Sequence, residues 1–254
     1  MAEPRGQGRP RLVRGLIFEA AVVLGIVVWG PLSLLAAPFP YRFRYWFITR
    51  WCRYVMVLLR TLCGIHWRME GLENVPDRIG VVMCKHQSTW ETLALQYWFQ
   101  PQTWVLKREL MLVPVFGWAL YLLEPIAVER GGGFRAFQQV TAQGRARLDR
   151  GRWVVVFPEG TRVPAGYKGR YMPGAAQLAT STGRPVIPIA HNAGEHWPRR
   201  RIRKIPGVIR ARIGPPIETA GRRPAQVMAE VEAWIERQMP ELSEGDYPGT
   251  PYRR

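Results

Sequence analysis

Two residues of the sequence, His86 and Glu91, have types that suit acid–base chemistry, and they follow an apolar run that ends at Cys84. On one regular helix their side chains would point about 140° apart and could not meet. Ser88 and Glu91, however, have the spacing of a capping box, which predicts a helix that begins just after Ser88. His86 then lies in the preceding loop and can fold back over the first helical turn. In that geometry Glu91 orients the imidazole as a general base, although a histidine in this place more often only packs or caps.

Polar residues follow three further apolar runs of the same kind and could form a cationic pocket. Lys107 ends one run, Arg130 follows the second, and residues 158–162 (Pro-Glu-Gly-Thr-Arg) follow the third. In open α/β sheets such residues collect at the carboxyl ends of the strands, where Lys107, Arg130 and Arg162 would meet. The glycines at 131–133 and in the Glu-Gly-Thr-Arg turn would allow backbone amides to approach an anion. Neither turn matches a nucleotide-binding fingerprint, and each cation taken alone is compatible with an ordinary surface charge.

From about Ile65 onward, short β-rich runs alternate with helical stretches. Several runs are apolar throughout, as expected of strands buried on both faces of a parallel sheet, and the alternation predicts helices on both sides of that sheet. The sequence therefore predicts an α/β domain with a mostly parallel central sheet flanked by helices over residues 66–239, followed by a flexible tail over 240–254. The predicted strands cover residues 65–71, 79–84, 103–107, 125–129, 153–157, 185–190 and 207–214, and the predicted helices cover residues 89–99, 134–150, 174–182 and 224–238.

The chain before Ile65 differs from this pattern and predicts association with a membrane. Residues 1–14 contain four arginines and no apolar periodicity, which indicates a disordered basic arm. Residues 20–41 contain no charged side chain. That run is close to the roughly 20 residues that a helix needs to cross the hydrocarbon core of a bilayer. A cleavable signal peptide with small residues at Ala36 and Ala37 is the alternative, but the apolar run is too long for one.

The rest of residues 15–65 predicts a second helix at the membrane surface. Arg42, Arg50, Arg53 and Arg60 fall within one sector of a helix, and aromatic and aliphatic side chains cover most of the remainder. A basic stripe beside aromatic residues is typical of a helix on an anionic membrane surface. A packed core helix with a solvated arginine face is the alternative. We therefore expect an N-terminal membrane-associated helical pair over residues 15–65, with the larger part of the chain on the cytoplasmic side (of the inner membrane if the protein is bacterial).

Composition narrows the possible classes of function. The chain has 254 residues, of which 47% are hydrophobic, so intrinsic disorder is excluded for most of it. Its formal net charge of +17 indicates an anionic partner or an anionic surface. Nucleic acid is disfavoured, because the sequence contains no recognised nucleic-acid-binding module and its aromatic residues lie in the apolar N-terminal region. Three cysteines at irregular spacing are too few for a disulfide scaffold or a closed zinc site, and we expect no metal.

Five blocks, in the same order along the chain, resemble the motifs of glycerolipid acyltransferases, the 1-acylglycerol-3-phosphate acyltransferase family. They are the histidine–acid block at 86–91, the Lys-Arg-Glu-Leu segment at 107–110, the apolar block ending in Glu-Arg at 126–130, the Phe-Pro-Glu-Gly-Thr-Arg hexapeptide at 157–162 and the apolar–proline block at 186–189. The hexapeptide is the most specific of them and the last block the weakest, and the resemblance extends over about residues 65–192. Two positions depart from the family pattern: Glu91 stands where Asp is commonest, and Val163 stands where Ser is frequent.

The resemblance implies the transfer of a fatty acyl group to the sn-2 hydroxyl of lysophosphatidic acid, which gives phosphatidic acid for phospholipid synthesis. The acyl group would come from acyl-CoA or acyl-carrier protein as co-substrate, and no separate cofactor is implied. His86, oriented by Glu91, is the implied general base, and these two are the candidate catalytic residues. Arg130 and Arg162, with Lys107, are implied to hold the lysolipid phosphate.

The other residues of the hexapeptide complete the candidate substrate-binding set. Glu159 would orient either Arg162 or the glycerol, and Gly160 and Thr161 lie between these two side chains. The implied partners are a lysophospholipid, an acyl thioester and membrane lipids. Two alternatives are compatible with the same residues: the acceptor could be another lysolipid, such as a lyso-ornithine lipid, or the protein could bind anionic lipid without catalysis. An intact histidine–acid pair argues against the second.

Overall fold

The structure is a computed structural model that describes residues 12–128, 133–199 and 201–252. Most of the basic arm expected over residues 1–14 lies outside the described residues, as does the candidate binding residue Arg130. The described helices are α1 (Leu12–Leu34), α2 (Tyr41–Cys63), α3 (Trp90–Ala94), α4 (Phe116–Leu122), α5 (Gly133–Asp149), α6 (Gly174–Thr182), α7 (Ala193–His196) and α8 (Pro224–Leu242). The described strands are β1 (Ile65–Glu70), β2 (Val81–Cys84), β3 (Gln102–Lys107), β4 (Ile126–Val128), β5 (Trp153–Val156), β6 (Tyr167–Lys168), β7 (Val186–His191), β8 (Gly207–Ile213) and β9 (Thr250–Pro251).

Seven of these strands form one sheet in the order β1-β8-β7-β2-β5-β3-β4. Every neighbouring pair in it is parallel except β7 and β8, which are antiparallel. The central strands β2 and β5 are wholly buried, as their unbroken apolar sequences predict. The remaining strands, β6 and β9, form a separate parallel pair. The predicted α/β fold with a mostly parallel central sheet is therefore confirmed.

Helices cover both faces of this sheet. On one face, Val81 and Val154 of the sheet share a buried cluster with side chains of α5, α6 and α8. On the other face, Val82 shares a cluster with Tyr45 and Ile48 of α2. α2 thus packs on the core, while Arg42, Arg53 and Arg60 of its arginine stripe are exposed, as the alternative interpretation of its sequence expects. Side chains on both sides of the boundary expected at residue 65 therefore share one buried cluster.

α1 and α2 form the expected helical pair, but the uncharged run at residues 20–41 is not one helix. α1 begins eight residues earlier than this run, and it ends at Leu34. Pro38 and Pro40 then interrupt the chain before α2 begins, since proline lacks the backbone N–H that a helix interior needs. Within the described part of the chain, α1 is the one helix long and apolar enough to cross a membrane.

Both ends of α1 rest on the α/β domain. Phe18 is fully buried and packs edge-on against Trp197, with ring centroids 5.2 Å apart. Near the other end, Gly30 lies so close to Val115 that a side chain larger than hydrogen would collide with it. The outward face of α1 stays exposed and carries Leu16, Ile17, Val23, Leu24, Val27 and Val28.

The described part of the expected flexible tail, residues 240–252, contacts the domain. α8 continues through Pro240, which lies in its last turn, where the buried Met239 holds the helix on the core. Beyond α8, Thr250–Pro251 pairs with Tyr167–Lys168. Two other differences concern short elements: α4 and α7 are missed because they are too short to show periodicity, and α3 is shorter than predicted and continues as a 3₁₀ turn.

Candidate active site

The loop between β2 and α3 brings His86 and Glu91 together. The imidazole Nδ1 of His86 lies 2.8 Å from Oε1 of Glu91, in the first turn of α3. The same oxygen accepts the backbone N–H groups of Gln87, at 2.9 Å, and of Ser88, at 2.8 Å. Glu91 therefore reaches back to the chain before the helix, as the capping-box spacing predicts. Thr89, rather than Ser88, occupies the N-cap position.

Glu91 is buried and ionised. Its side chain has no exposed surface. Burial by itself would raise the pKa of Glu91, but His191, His86 and Arg162 favour the charged form, so that the pKa falls below its ordinary value. An ionised carboxylate only accepts hydrogen bonds, so His86 donates through Nδ1, and a neutral ring keeps its lone pair on Nε2. Nε2 is thus the nitrogen that can take a proton.

Residues that follow β5 hold His86 from the other side. β2 and β5 are neighbours in the sheet, so their carboxyl ends lie side by side. The ring of Phe157 stacks on the imidazole with centroids 4.1 Å apart. Glu159 Oε2 accepts the backbone N–H of His86 at 2.7 Å, and the N–H of Val163 donates to the His86 carbonyl at 2.7 Å. Together with Glu91, these contacts fix the ring and the backbone of His86, whose side chain is 14% exposed.

Glu159 lies beneath the site rather than in it. Its side chain has no exposed surface, and its Oε1 accepts the backbone N–H of Gly169 at 3.2 Å and lies 3.4 Å from Nζ of Lys85. Burial raises the pKa of Glu159, and Lys85 and the His86 N–H oppose that rise. Both oxygens of Glu159 therefore have partners other than an arginine: Oε2 accepts from the backbone of His86, and Oε1 contacts Gly169 and Lys85.

Gly160 and Thr161 shape the turn that carries Arg162. Gly160 has a φ of 62°, in the left-handed region that favours glycine, and its N–H donates to the carbonyl of Phe157 at 2.9 Å. Gly160 is exposed, whereas Thr161 is buried. Arg162 is half-buried, and its guanidinium has no hydrogen bond or ion pair with any residue that the structure describes.

A second guanidinium lies near Arg162. Nη1 of Arg199 donates to the carbonyl of Arg162 at 3.4 Å. Burial lowers the pKa of Arg162, Glu91 raises it, and Arg199 lowers it further. An anion stabilises two neighbouring cations, and a guanidinium binds anionic oxygens well, so this turn is suited to bind an anion. The sequence analysis does not single out Arg199, because its only signal is one arginine within a basic stretch.

The structure does not bring Lys107 into this group. Lys107 ends β3, which β5 separates from β2 in the sheet. Its side chain is exposed and forms an ion pair with Glu109 at 2.9 Å. Because Arg130 lies outside the described residues, Arg162 is the one candidate cation that the structure shows near Glu91.

The sequence analysis also misses His191, a buried residue beside the pair. His191 ends β7, the other neighbour of β2. Its Nε2 donates to the Lys85 carbonyl at 2.7 Å, and its Nδ1 accepts the N–H of Ala193 at 3.1 Å. Burial lowers the pKa of His191, and the neighbouring Glu91 opposes that fall. The signal in the sequence is a histidine at the end of an apolar run, which is also the signal that points to His86.

One cluster in the described part of the chain has residue types that bind metals. Ligand atoms of Glu195, His196 and Glu244 lie within 4.8 Å of one another. Glu195 Oε2 accepts the side-chain amide of Asn192 at 2.9 Å and the backbone N–H of Glu244 at 3.0 Å. Neither of these bonds involves His86 or Glu91.

Comparison with known proteins identifies the family. Residues 66–192 match the family model described as acyltransferase. The 1-acyl-sn-glycerol-3-phosphate acyltransferase of Pseudomonas aeruginosa is 44% identical over 91% of this chain and 92% of its own length. The mouse protein named 1-acyl-sn-glycerol-3-phosphate acyltransferase alpha is 28% identical over 70% of this chain and 64% of its own length. The chain therefore belongs to the acyltransferase family, and the resemblance seen in the ordered sequence blocks is confirmed.

A solved structure shares the fold. The crystal structure of the 1-acyl-sn-glycerophosphate (LPA) acyltransferase PlsC from Thermotoga maritima matches with a TM-score of 0.75. The match covers 92% of this chain and 96% of that chain at 23% sequence identity. The parallel sheet with its N-terminal helical pair is thus an architecture found in a solved acyltransferase.

Proposed function

We propose that the protein transfers a fatty acyl group from acyl-CoA or acyl-carrier protein to the sn-2 hydroxyl of 1-acylglycerol-3-phosphate, which forms phosphatidic acid. The observation that carries the proposal is the 2.8 Å contact between His86 Nδ1 and the buried, ionised Glu91. This contact leaves Nε2 of a fixed imidazole as a base at the carboxyl ends of β2 and β5. The names of the Pseudomonas aeruginosa and mouse relatives support the choice of acceptor.

In the proposed reaction, His86 Nε2 takes the proton from the lysolipid hydroxyl while the hydroxyl oxygen attacks the thioester carbonyl. A C–O bond forms, the tetrahedral intermediate collapses with loss of the C–S bond, and the departing thiolate takes the proton from the imidazolium. Glu91 stabilises the imidazolium between the two transfers. Cys84 is not a nucleophile here, because it is buried and burial raises the pKa of its thiol, whereas a reactive cysteine needs the thiolate.

We assign the lysolipid phosphate to Arg162, with Arg130 and Lys107 as further candidates. A guanidinium binds two phosphate oxygens at once, and the guanidinium of Arg162 has no hydrogen bond or ion pair with a described residue. Lys107 is exposed and already paired with Glu109, so its share should be smaller. The exposed Gly160 stays in the proposed binding set, because its turn borders Arg162.

We further propose that the helical pair embeds in one leaflet instead of crossing the bilayer. α1 has 23 residues and is therefore about 35 Å long, yet Phe18 and Gly30, near its opposite ends, both pack on the α/β domain. A crossing helix would draw the domain surface at Trp197 and Val115 into the hydrocarbon. An embedded pair instead buries the outward apolar face of α1. We propose the cytoplasmic face (of the inner membrane if the protein is bacterial), since the larger part of the chain follows the pair.

A cavity between the helical pair and the active-site loop supports the use of lipid substrates. Its volume is about 390 Å³, and Val22, Val55, Leu93 and Trp197 contribute apolar walls. Thr89, from the active-site loop, also lines it. Moving a lipid chain into water costs about 0.8 kcal/mol per methylene. A cavity that joins the outward helices to the active-site loop lets the chain stay out of water during the reaction.

The test of donor and acceptor is an acyl-transfer assay with the full-length protein, both thioesters and a panel of lysolipids. We expect transfer to lysophosphatidic acid to exceed transfer to lyso-ornithine lipid, which lacks the phosphate, by about tenfold or more, because charged hydrogen bonds contribute about 1.5–3 kcal/mol each. Equal use of the two acceptors would exclude a phosphate-selective site. The absence of transfer to any acceptor would leave lipid binding as the function.

The test of membrane attachment is fractionation together with tag accessibility. High salt should leave the full-length protein in the membrane fraction, because salt screens charges but not apolar burial. Tags at the N- and C-termini should be accessible from the same side if α1 is embedded. Accessibility from opposite sides would show that α1 crosses, and a mature chain cleaved near Ala37 would establish a signal peptide.

A further inference from the structure

A buried network begins directly beneath His86 and extends to the C-terminal helix. Lys85, whose side chain has no exposed surface, places Nζ 2.8 Å from Oε1 of Glu236 on α8. The same Nζ lies 3.4 Å from Oε1 of Glu159. The other oxygen of Glu159 accepts the backbone N–H of His86 at 2.7 Å. Three successive contacts therefore connect α8 to the backbone of the proposed general base.

The segment after α8 adds to this network. We call residues 243–252 the C-terminal strap. Tyr247, in the strap, donates its hydroxyl to Oε2 of Glu236 at 2.6 Å, and its ring centroid lies 5.6 Å from Nζ of Lys85. Tyr171 donates to Oε1 of Glu236 at 2.8 Å. Both carboxylate oxygens of Glu236 are thus hydrogen-bonded, and the strap covers the buried ion pair.

Stability alone does not account for this arrangement. Replacing a buried ion pair with apolar side chains of similar volume is often neutral or stabilising, because desolvation opposes the Coulomb attraction. Burial would lower the pKa of Lys85, but Glu159, Tyr247 and Glu236 together raise it, so Lys85 stays charged. A charged Lys85 in turn opposes the rise in the pKa of Glu159 that burial causes. An ionised Glu159 is the stronger acceptor for the N–H of His86.

We propose that Lys85, Glu236 and Tyr247 are positioning residues that fix the backbone of His86 through Glu159. This inference rests on the proposed role of His86 as general base. Since these residues are not placed to touch the substrate, they set the geometry of proton transfer and not the affinity for lipid or thioester. The C-terminal strap then helps to position the general base, although no sequence motif of the acyltransferase blocks lies in it.

The experiment compares kcat and KM in three variants of the full-length protein. Glu236→Gln keeps the size of the side chain and removes its charge. A misplacement of about 1 Å in an active site can lower a rate by about 100-fold. We expect Glu236→Gln to loosen the backbone of His86 only in part and to lower kcat by about tenfold. Tyr247→Phe removes one hydroxyl and should lower kcat by about threefold. KM for both substrates should stay within about twofold of the wild type. The matched control is Glu232→Gln, one turn earlier on α8, which breaks a partly exposed ion pair with Lys168 and should leave kcat unchanged.

The outcomes separate positioning from general stability. A folded Glu236→Gln protein with wild-type kcat would overturn the proposal, and so would an equal loss of kcat in Glu232→Gln. If Glu236→Gln does not fold, Tyr247→Phe decides by the same criterion. The double variant should lose less than the product of the two single losses, because both residues act through one carboxylate. His86→Ala in the same assay tests the two proposals separately. An active His86→Ala protein would refute the role of His86 as general base. An inactive His86→Ala protein together with a normal kcat in Glu236→Gln would refute only the positioning role of the network.

Discussion

The two halves of the candidate site are built in opposite ways. The imidazole of His86 is held by Glu91 and Phe157, and its backbone by two further partners from the loop after β5. The guanidinium of Arg162 has no hydrogen bond or ion pair among the described residues. A general base must be in place before the reaction begins, so a side chain and backbone held by several contacts suit it. A cation that binds an anionic ligand must instead remain without an anionic partner in the protein until the ligand binds.

This difference determines which kinetic constant each half controls. Changes in the fixed half, which is His86 with its partners, should lower kcat, because they act on a geometry used in the transition state. Changes in the open half, which is the guanidinium of Arg162, should raise KM for the phosphate-bearing substrate. A variant that violates this division would show that the two halves are not separate in function.

The largest effect should come from His86→Ala. We expect kcat to fall by about 10²–10⁴-fold in a folded protein, the usual range for the loss of a general base. The measurement is steady-state acyl transfer with a thermal unfolding control. His66→Ala removes an exposed histidine from β1 and should have no effect. Near-normal turnover of a folded His86→Ala protein would end the proposed mechanism.

Glu91→Gln should give the second largest effect. The amide keeps the shape of the side chain but loses the charge that stabilises the imidazolium, so we expect kcat to fall by about 100-fold. Glu91→Asp keeps the charge and should be milder. If Glu91→Asp lowers kcat as much as Glu91→Gln, the length of the side chain matters as much as its charge; a wild-type kcat in Glu91→Gln would show that the charge does not matter.

Arg162→Ala should change KM more than kcat. Loss of a charged contact to phosphate of about 1.5 kcal/mol raises KM for lysophosphatidic acid by about tenfold, while KM for the thioester stays within about twofold. Arg162→Lys should restore only part of the affinity, since a point charge lacks the planar fork. Arg203→Ala, which removes the same charge from an exposed position, is the control. Equal changes in both KM values would indicate that Arg162 has a structural role.

The fixed half should also affect how the free energy of unfolding depends on pH. The pKa of Glu91 is lower in the folded protein than its ordinary value of 4.5. Its carboxylate therefore stabilises the fold at pH values above the ordinary pKa, and this contribution is lost as the pH falls through the folded pKa. The difference in unfolding free energy between wild type and Glu91→Gln should thus become smaller as the pH falls below the ordinary pKa. A difference that stays constant down to the folded pKa would contradict this.

Lys107→Ala should have the smallest effect. An exposed ion pair such as Lys107 with Glu109 contributes about 1 kcal/mol or less, and the sheet order separates β3 from β2. We expect KM for lysophosphatidic acid to rise by about twofold or less. A rise as large as that of Arg162→Ala would show that the open half reaches across β5 to the end of β3.

The fold could be predicted from the sequence wherever a local pattern decides the structure. Each of the seven strands of the main sheet begins and ends within two residues of its predicted limits. The strand order, and the antiparallel direction of β8, depend on contacts between distant segments and could not be read from any one run. The position of α2 could not be predicted either, because an apolar helix face suits a membrane and a sheet equally well.

The same distinction applies to the candidate site. The sequence by itself determined the meeting of His86 and Glu91, because a few residues link them and the geometry of a helix start leaves little freedom. Only the tertiary structure decided the role of Glu159, whose partner His86 is 73 positions away, and the pairing of Lys85 with Glu236, 151 positions away. Short spacings restrict the backbone enough to predict a contact. Burial and the pairing of distant charges depend instead on which strands and helices the fold brings together.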